Sequence, residues 1–159
     1  MTGKRLYFRY LKSGTQGLIE LYEKNAPVTC AAIWQAFAKP VRTRVIHAAY
    51  AGPEVFGELP PEARIAELSA IPAENQTVMP GKGEMVWFPQ PKGVMLGMAE
   101  EQLIVALFYD HGGRTYGPTG WVPENVFGIM RDGIDAIAEE CRDVRWSGAK
   151  DVELGRHAG

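Results

Sequence analysis

Apolar and polar residues alternate with period two in short runs spread along the chain, and recur with a helical period in two longer stretches. Leu6, Phe8 and Tyr10 alternate with Tyr7, Arg9 and Leu11 and predict a first strand. The turn chemistry of Ser13-Gly14-Thr15-Gln16-Gly17 leads to a second strand over 18–22, so the two read as a hairpin. Asn25-Ala26-Pro27 opens a helix, since proline suits the first helical position; Cys30, Ile33, Trp34 and Phe37 form its apolar stripe. Lys39-Pro40 ends it. A strand over 43–50 follows, with Arg44, Ile46, Ala48 and Tyr50 on one face and Val45, His47 and Ala49 on the other.

The stretch from Gly52 to Asn75 is less regular, with a short helix opened by Pro60-Pro61-Glu62 and carrying Ile65 and Leu68 on one side. Strands are predicted over 84–88, 94–98, 103–109 and 126–130. Gly133 then opens a second helix with Ile134, Ile137, Ala138 and Cys141 on one stripe, and 144–146 and 152–154 supply closing strands. Many short strands with one early and one late helix predict a mainly β fold: a closed antiparallel β-barrel capped by two α-helices.

Composition narrows the partners. A chain of 159 residues is expected to form one domain, 1–159, and 46% hydrophobic with 23% charged residues is the balance of a soluble globular protein. The formal net charge of -2 gives no basic footprint, so nucleic acid is not expected as a partner. No apolar run is long enough to cross a bilayer and the first ten residues contain no secretion-signal core, so no membrane is expected and the cytoplasm is the expected compartment. Cys30 and Cys141 lie far apart on the two helical stripes and read as small buried core residues.

Four blocks, taken in order, carry a family likeness. A-P-V-T-C-A-A-I-W-Q-A-F over 26–37, R-V-I-H-A-A-Y over 44–50, G-V-M-L-G-M-A-E-E-Q-L-I-V over 93–105 and W-V-P-E-N-V-F-G-I-M-R-D-G-I over 121–134 resemble, in the same order, segments of the cyclophilins. The resemblance implies a cyclophilin-like barrel, puts Arg44 on the position of the catalytic arginine and Trp121 on that of the pocket tryptophan. It departs at Leu103-Ile104, where cyclophilins have two phenylalanines, and at Glu124 and Asn125, which replace the loop histidine. A bacterial family of small uncharacterised cyclophilin-like proteins looks closer still. Its pattern is matched by A-P-V-T-C, by His47-Ala48-Ala49-Tyr50-Ala51-Gly52-Pro53-Glu54, by Glu74-Asn75-Gln76-Thr77 with Pro80-Gly81, and by Glu124-Asn125-Val126-Phe127. That likeness implies a shape and a site rather than a reaction.

The expected site lies on the barrel flank. Arg44 is the candidate catalytic residue, with His47, Tyr50, Glu74, Asn75, Gln102, Trp121, Glu124 and Asn125 as binding residues. Two acids, amides and an arginine around aromatic rings suit a small polar ligand held over an apolar floor. The bland alternatives are a solvated strand arginine at 44, a structural histidine at 47, and turn-capping asparagines at 75 and 125. His47, His111 and His157 have no paired spacing, so no metal is expected, and no motif calls for a cofactor. Three readings stay open. One is a protein binding a small polar molecule or short peptide, as a catabolic enzyme or its accessory. The others are a peptidyl-prolyl isomerase and a structural subunit of a homo-oligomer.

Overall fold

The computed structural model describes residues 3–95 and 97–159. Eleven strands and two α-helices follow in the order β1 (Arg5–Tyr10), β2 (Gln16–Leu21), α1 (Pro27–Ala36), β3 (Val41–His47), β4 (Glu54–Glu58), β5 (Gln76–Thr77), β6 (Glu84–Gln90), β7 (Gln102–Phe108), β8 (Tyr116–Gly117), β9 (Gly120–Trp121), β10 (Glu124–Asp132), α2 (Ile134–Ser147) and β11 (Lys150–Arg156). Two 3-10 turns, Pro61–Ala63 and Ala66–Ala70, stand where one short helix was expected.

All pairings are antiparallel, in the order β2-β1-β11-β3-β4-β7-β6-β10, and β10 returns to β2, so the sheet closes on itself. The closing seam needs glycine. Gly128 opposes Leu21, and a Cβ there would sit 2.8 Å from the Glu20 carbonyl oxygen. Gly133 turns the chain from β10 into α2 at φ +83°, with a Cβ position only 2.5 Å from the Gln16 carbonyl oxygen.

Inside the barrel, Leu6, Phe8, Tyr10, Ile19, Val45, Val55, Met85, Trp87, Leu103, Val105, Leu107, Phe127 and Val152 form one core. The helices complete it. Cys30, Ile33 and Phe37 enter from the first, and Ile137, Ala138, Cys141 and Val144 from the second. Burial of each large side chain contributes about 1.5–3 kcal/mol. Both thiols are part of this packing. Cys30 donates to the Phe127 carbonyl and Cys141 lies 3.2 Å from the Tyr10 hydroxyl, and burial pushes each up to about 12.

Two expected strands are corrected. Residues 144–146 are the last turn of α2, because the stripe continues from Cys141 to Val144 and stops only at Gly148 (φ +91°). Of the strand expected over 94–98, position 96 lies outside the described residues. The positions around it form turns, with Gly93 and Gly97 at positive φ and Met98 donating to the Met95 carbonyl. The strand Glu54–Glu58, within a stretch read as irregular, pairs with both β3 and β7.

On the outer face of β11, Glu153 sits between its cross-strand partners Arg9 and Arg42, at 2.5 and 2.9 Å, and accepts a third bond from the Tyr7 hydroxyl. The Arg42 bond above all, joined by those from Arg9 and Tyr7, holds its carboxyl down at about 2 against the opposing pull of burial. A depressed carboxylate stabilises the fold above its unfolded value and loses that contribution as pH falls. Glu153→Gln is therefore expected to lower stability at neutral pH by about 1 kcal/mol, and to flatten the acid limb of a thermal-melting series between roughly pH 4.5 and 2. Parallel melting curves for the two proteins across that window would refute it.

Candidate functional site

On most of the barrel the outer face is polar, but β7 is buried on both sides. Leu103, Val105 and Leu107 point to the core, while Ala106 and Phe108 form a second cluster outside with Val86, Val126 and Ala51. Two loops cover this outer patch. The segment after β3 and the segment after β7 are tied together where Arg114 N–H donates to the Ala51 carbonyl and Tyr109 N–H to the Pro53 carbonyl. Gly113 crosses Phe108 so closely that a Cβ would meet its ring at 2.3 Å. Beyond the loop, β8 and β9 pair in a small hairpin.

Between sheet and loops lies a cavity of about 310 Å³. Ile46, Phe56, Phe88 and Ile104 make its floor, Ala48 to Ala51 one wall, and Tyr116 to Thr119 with Val122 the other. Register explains the floor: Ile46 pairs with Phe56, Phe56 with Ala106, and Ile104 with Phe88, so the outward side chains of three strand pairs form one apolar surface.

Set into this apolar wall are Glu54 and Glu124, 7% and 4% exposed. Burial pushes Glu54 up to about 7. Burial pushes Glu124 up to about 9, and the negative charge of Glu54 adds to the shift. At pH 7 Glu124 is thus a neutral carboxylic acid while Glu54 is divided between its two forms. Three buried polar atoms at the cavity have no hydrogen-bond partner: Glu124 Oε2, Thr115 Oγ1 and Gln90 Oε1. Such atoms cost about 1–3 kcal/mol each unless something supplies the missing bond. No lysine or arginine appears among the described residues that line the cavity.

The residues singled out from sequence divide into three places. His47, Tyr50, Gln102 and Glu124 border the cavity. His47 is held by both ring nitrogens: Nδ1 donates to the Ala48 carbonyl at 2.9 Å, so Nε2 accepts from the Tyr109 hydroxyl at 2.8 Å in the neutral ring.

Glu74, Asn75 and Asn125 lie elsewhere, in a network that joins the loop before β5 to the start of α1 and to β10. The Thr29 N–H and hydroxyl both donate to Glu74 Oε1, at 2.5 and 2.7 Å. Glu74 thereby satisfies an open donor of the first helical turn, a stabilising position for a negative charge. Asn125 donates to the Thr29 hydroxyl and the Pro72 carbonyl and accepts from Glu74 N–H; Asn75 donates to the Val126 carbonyl.

Arg44 and Trp121 form no common pocket. Arg44 is 68% exposed, and its guanidinium turns away from the cavity to its cross-strand partner Asp151 at 2.9 Å. It does not pair with Glu124. Trp121 is 53% exposed and packs edge-on against Tyr116, with ring centres 5.3 Å apart, outside the cavity. Sequence reasoning missed Glu54, Gln90 and Thr115 as site residues. The nearly continuous apolar run Leu103–Phe108 does indicate a strand covered on both faces, but its pairing with Glu54 is visible only in the structure. Among the described residues there is no group of three or more His, Cys, Asp or Glu side chains placed to hold a metal ion, and no helix is long and apolar enough to cross a membrane.

Comparison with known proteins agrees with the barrel. The family described as "Protein of unknown function (DUF3830)" matches residues 10–156. A search of curated proteins returned no match. Among solved structures, McbB in complex with tryptophan superposes with a TM-score of 0.67 at 16% identity, over 97% of this chain but 45% of McbB. The chain thus spans less than half the length of that protein. The hypothetical protein AF2241 from Archaeoglobus fulgidus matches with a TM-score of 0.56 at 18% identity, over 98% of this chain and 96% of the other. The Mimivirus cyclophilin matches with a TM-score of 0.58 at 11% identity, over 98% and 88%. Identities this low speak to fold alone, and the fold is cyclophilin-like: a closed eight-stranded antiparallel barrel with two helices.

The raised acids fix the sign of a pH effect. Between the unfolded value near 4.5 and the folded values of about 7 and 9, the unfolded chain loses protons that the folded chain keeps. Stability therefore falls as pH rises through that window. Glu124→Gln is expected to be more stable than wild type at pH 8, on the order of a few kcal/mol, and nearly equal to it at pH 4.5. Thermal melting at the two pH values checks this; a variant equally or less stable at pH 8 would contradict the burial of an unpaired acid.

Proposed function

The chain belongs to the DUF3830 family of proteins of unknown function, and from that premise we propose that it binds a small polar molecule or short peptide segment in the flank cavity. The observation that carries the reading is the contrast inside that cavity: an apolar floor and walls with three buried polar atoms, each lacking a partner. Ligand sites have this composition, mostly apolar with a few polar groups that fix orientation. A ligand with an apolar body and a hydrogen-bonding end supplies the missing bonds while covering the floor. McbB was captured with tryptophan, a molecule that also joins an apolar ring to polar ends.

The isomerase reading has no comparable support in the geometry. Arg44, the residue the cyclophilin likeness nominates, is engaged by Asp151, and the cavity wall carries acids instead of a guanidinium.

A thermal-shift screen of small amphipathic compounds tests the proposal. A ligand at a hundred times its Kd stabilises the native state by about 2.7 kcal/mol, which raises Tm by roughly 5–10 °C in a chain of this size. Ala49→Trp, at an exposed position on the cavity wall, is expected to fold normally and to abolish the shift. A shift that survives in Ala49→Trp would move binding elsewhere and overturn the reading.

A further inference from the structure

The unsatisfied groups of the cavity share one chemical character. Gln90 Oε1 and the carboxylate oxygens of Glu124 only accept hydrogen bonds once the acid is ionised, and the Thr115 hydroxyl accepts as well as donates. A second acid, Glu54, borders the same space, within electrostatic reach of Glu124. No basic side chain among the described lining residues balances either acid. His47, which also lines the cavity, spends Nδ1 on the Ala48 carbonyl and Nε2 on the Tyr109 hydroxyl. The lining is thus rich in acceptors and lacks a cation, and its acids are both more than nine-tenths buried.

We infer that the cavity takes a protonated amine with an apolar body, its ammonium received by Glu54 and Glu124 and its hydrocarbon part lying on Ile46, Phe56, Phe88 and Ile104. The inference rests on the flank-cavity reading above and names the ligand class. An ammonium group brings three donors, no acceptor and one positive charge, which complements both the orphaned acceptors and the unbalanced acids. Anionic ligands meet like charge with no counter-ion. A metal ion would need more ligands than the two acids and one histidine provide, the histidine being committed on both nitrogens. The exposed rim ring Tyr50 and the hairpin ring Tyr116 add aromatic faces beside the opening, which suit a cation in transit.

Proton accounting gives the inference a second handle. The empty site holds a proton on Glu124 at pH 7, and the arriving ammonium favours the ionised acid. Binding therefore releases protons to solvent, and affinity rises with pH between 6 and 9. The other titratable side chains that line the cavity are His47 at the end of β3, Tyr50 from the wall loop and Tyr116 from the hairpin.

Three probes of one shape decide the matter: phenethylamine, its neutral counterpart 2-phenylethanol, and 3-phenylpropionate. By calorimetry at pH 8 phenethylamine is expected to bind at least tenfold more tightly than 2-phenylethanol, with 3-phenylpropionate weakest. Glu124→Gln and Glu54→Gln should each bring the amine's affinity down to that of the alcohol measured on the same variant. Repeating the wild-type titration in two buffers of different ionisation enthalpy should show protons released at pH 7, a readout that needs no variant. If 2-phenylethanol binds as tightly as the amine and Ala49→Trp abolishes both, the amine inference falls and the flank cavity stands. Amine binding that persists in Ala49→Trp sinks both. No amine binding at millimolar concentration, or amine uptake without proton release, overturns the inference alone.

Discussion

A closed barrel has one inside, and the closure of β10 onto β2 decides which face of every strand belongs to it. Once Leu103, Val105 and Leu107 are committed to the core, Ile104, Ala106 and Phe108 have to face outward. An outward apolar row is unfavourable in water, so the loops after β3 and β7 fold across it and tie to each other at Ala51 and Arg114. They cover Phe108 and Ala106 fully. Over Ile104 and Phe88 they stand away, and the gap is the cavity. The site lies where barrel closure leaves an outward apolar row that the loops cover only in part.

The same residue type does opposite work on two flanks. Glu153, between Arg9 and Arg42, is a carboxylate held ionised by its partners and welds three strands together. Glu124 lies in apolar surroundings with no lysine or arginine among the described lining residues, and the fold tolerates it by keeping it protonated. Replacing a buried, unpaired acid by an apolar side chain would stabilise the barrel. Its presence at a cavity, beside a second acid and two further unsatisfied oxygens, is therefore a feature that folding alone does not require. Perturbed acids of this kind concentrate at functional sites.

How much of this was legible in the sequence depended on range. Period-two runs gave β1 and β2, short apolar runs gave β6 and β7, and the stripes Cys30-Ile33-Phe37 and Ile137-Ala138-Cys141 gave the helices, because these patterns are local. Where pattern was short, neighbours decided. Residues 144–146 alternate like a strand yet continue a helix, and β4 is held by two partners that its five residues do not announce. Of the expected site, Glu124, Gln102 and His47 border the cavity from the ends of strands that frame it, and Tyr50 from the wall loop. Arg44 points outward as its alternation requires, but which way a long side chain swings depends on Asp151, 107 positions later in the chain. The Glu-Asn pairs look alike in sequence, and the structure separates them. Asn75 ties the loop before β5 to β10, Asn125 joins that loop to α1, Glu74 accepts from the first turn of that helix, and Glu124 alone turns to the cavity.

The claim on which the site depends is that a carboxylic acid stays protonated at neutral pH in the wall of this barrel. Side-chain carboxyl NMR of protein labelled at glutamate, titrated from pH 4 to pH 10, measures it directly. One resonance, absent in Glu124→Gln, should titrate near 9, and a second, absent in Glu54→Gln, near 7. Both resonances titrating near 4.5 would contradict the account, because two freely hydrated carboxylates would mean that the wall is open to water and the cavity holds no unmet acceptors.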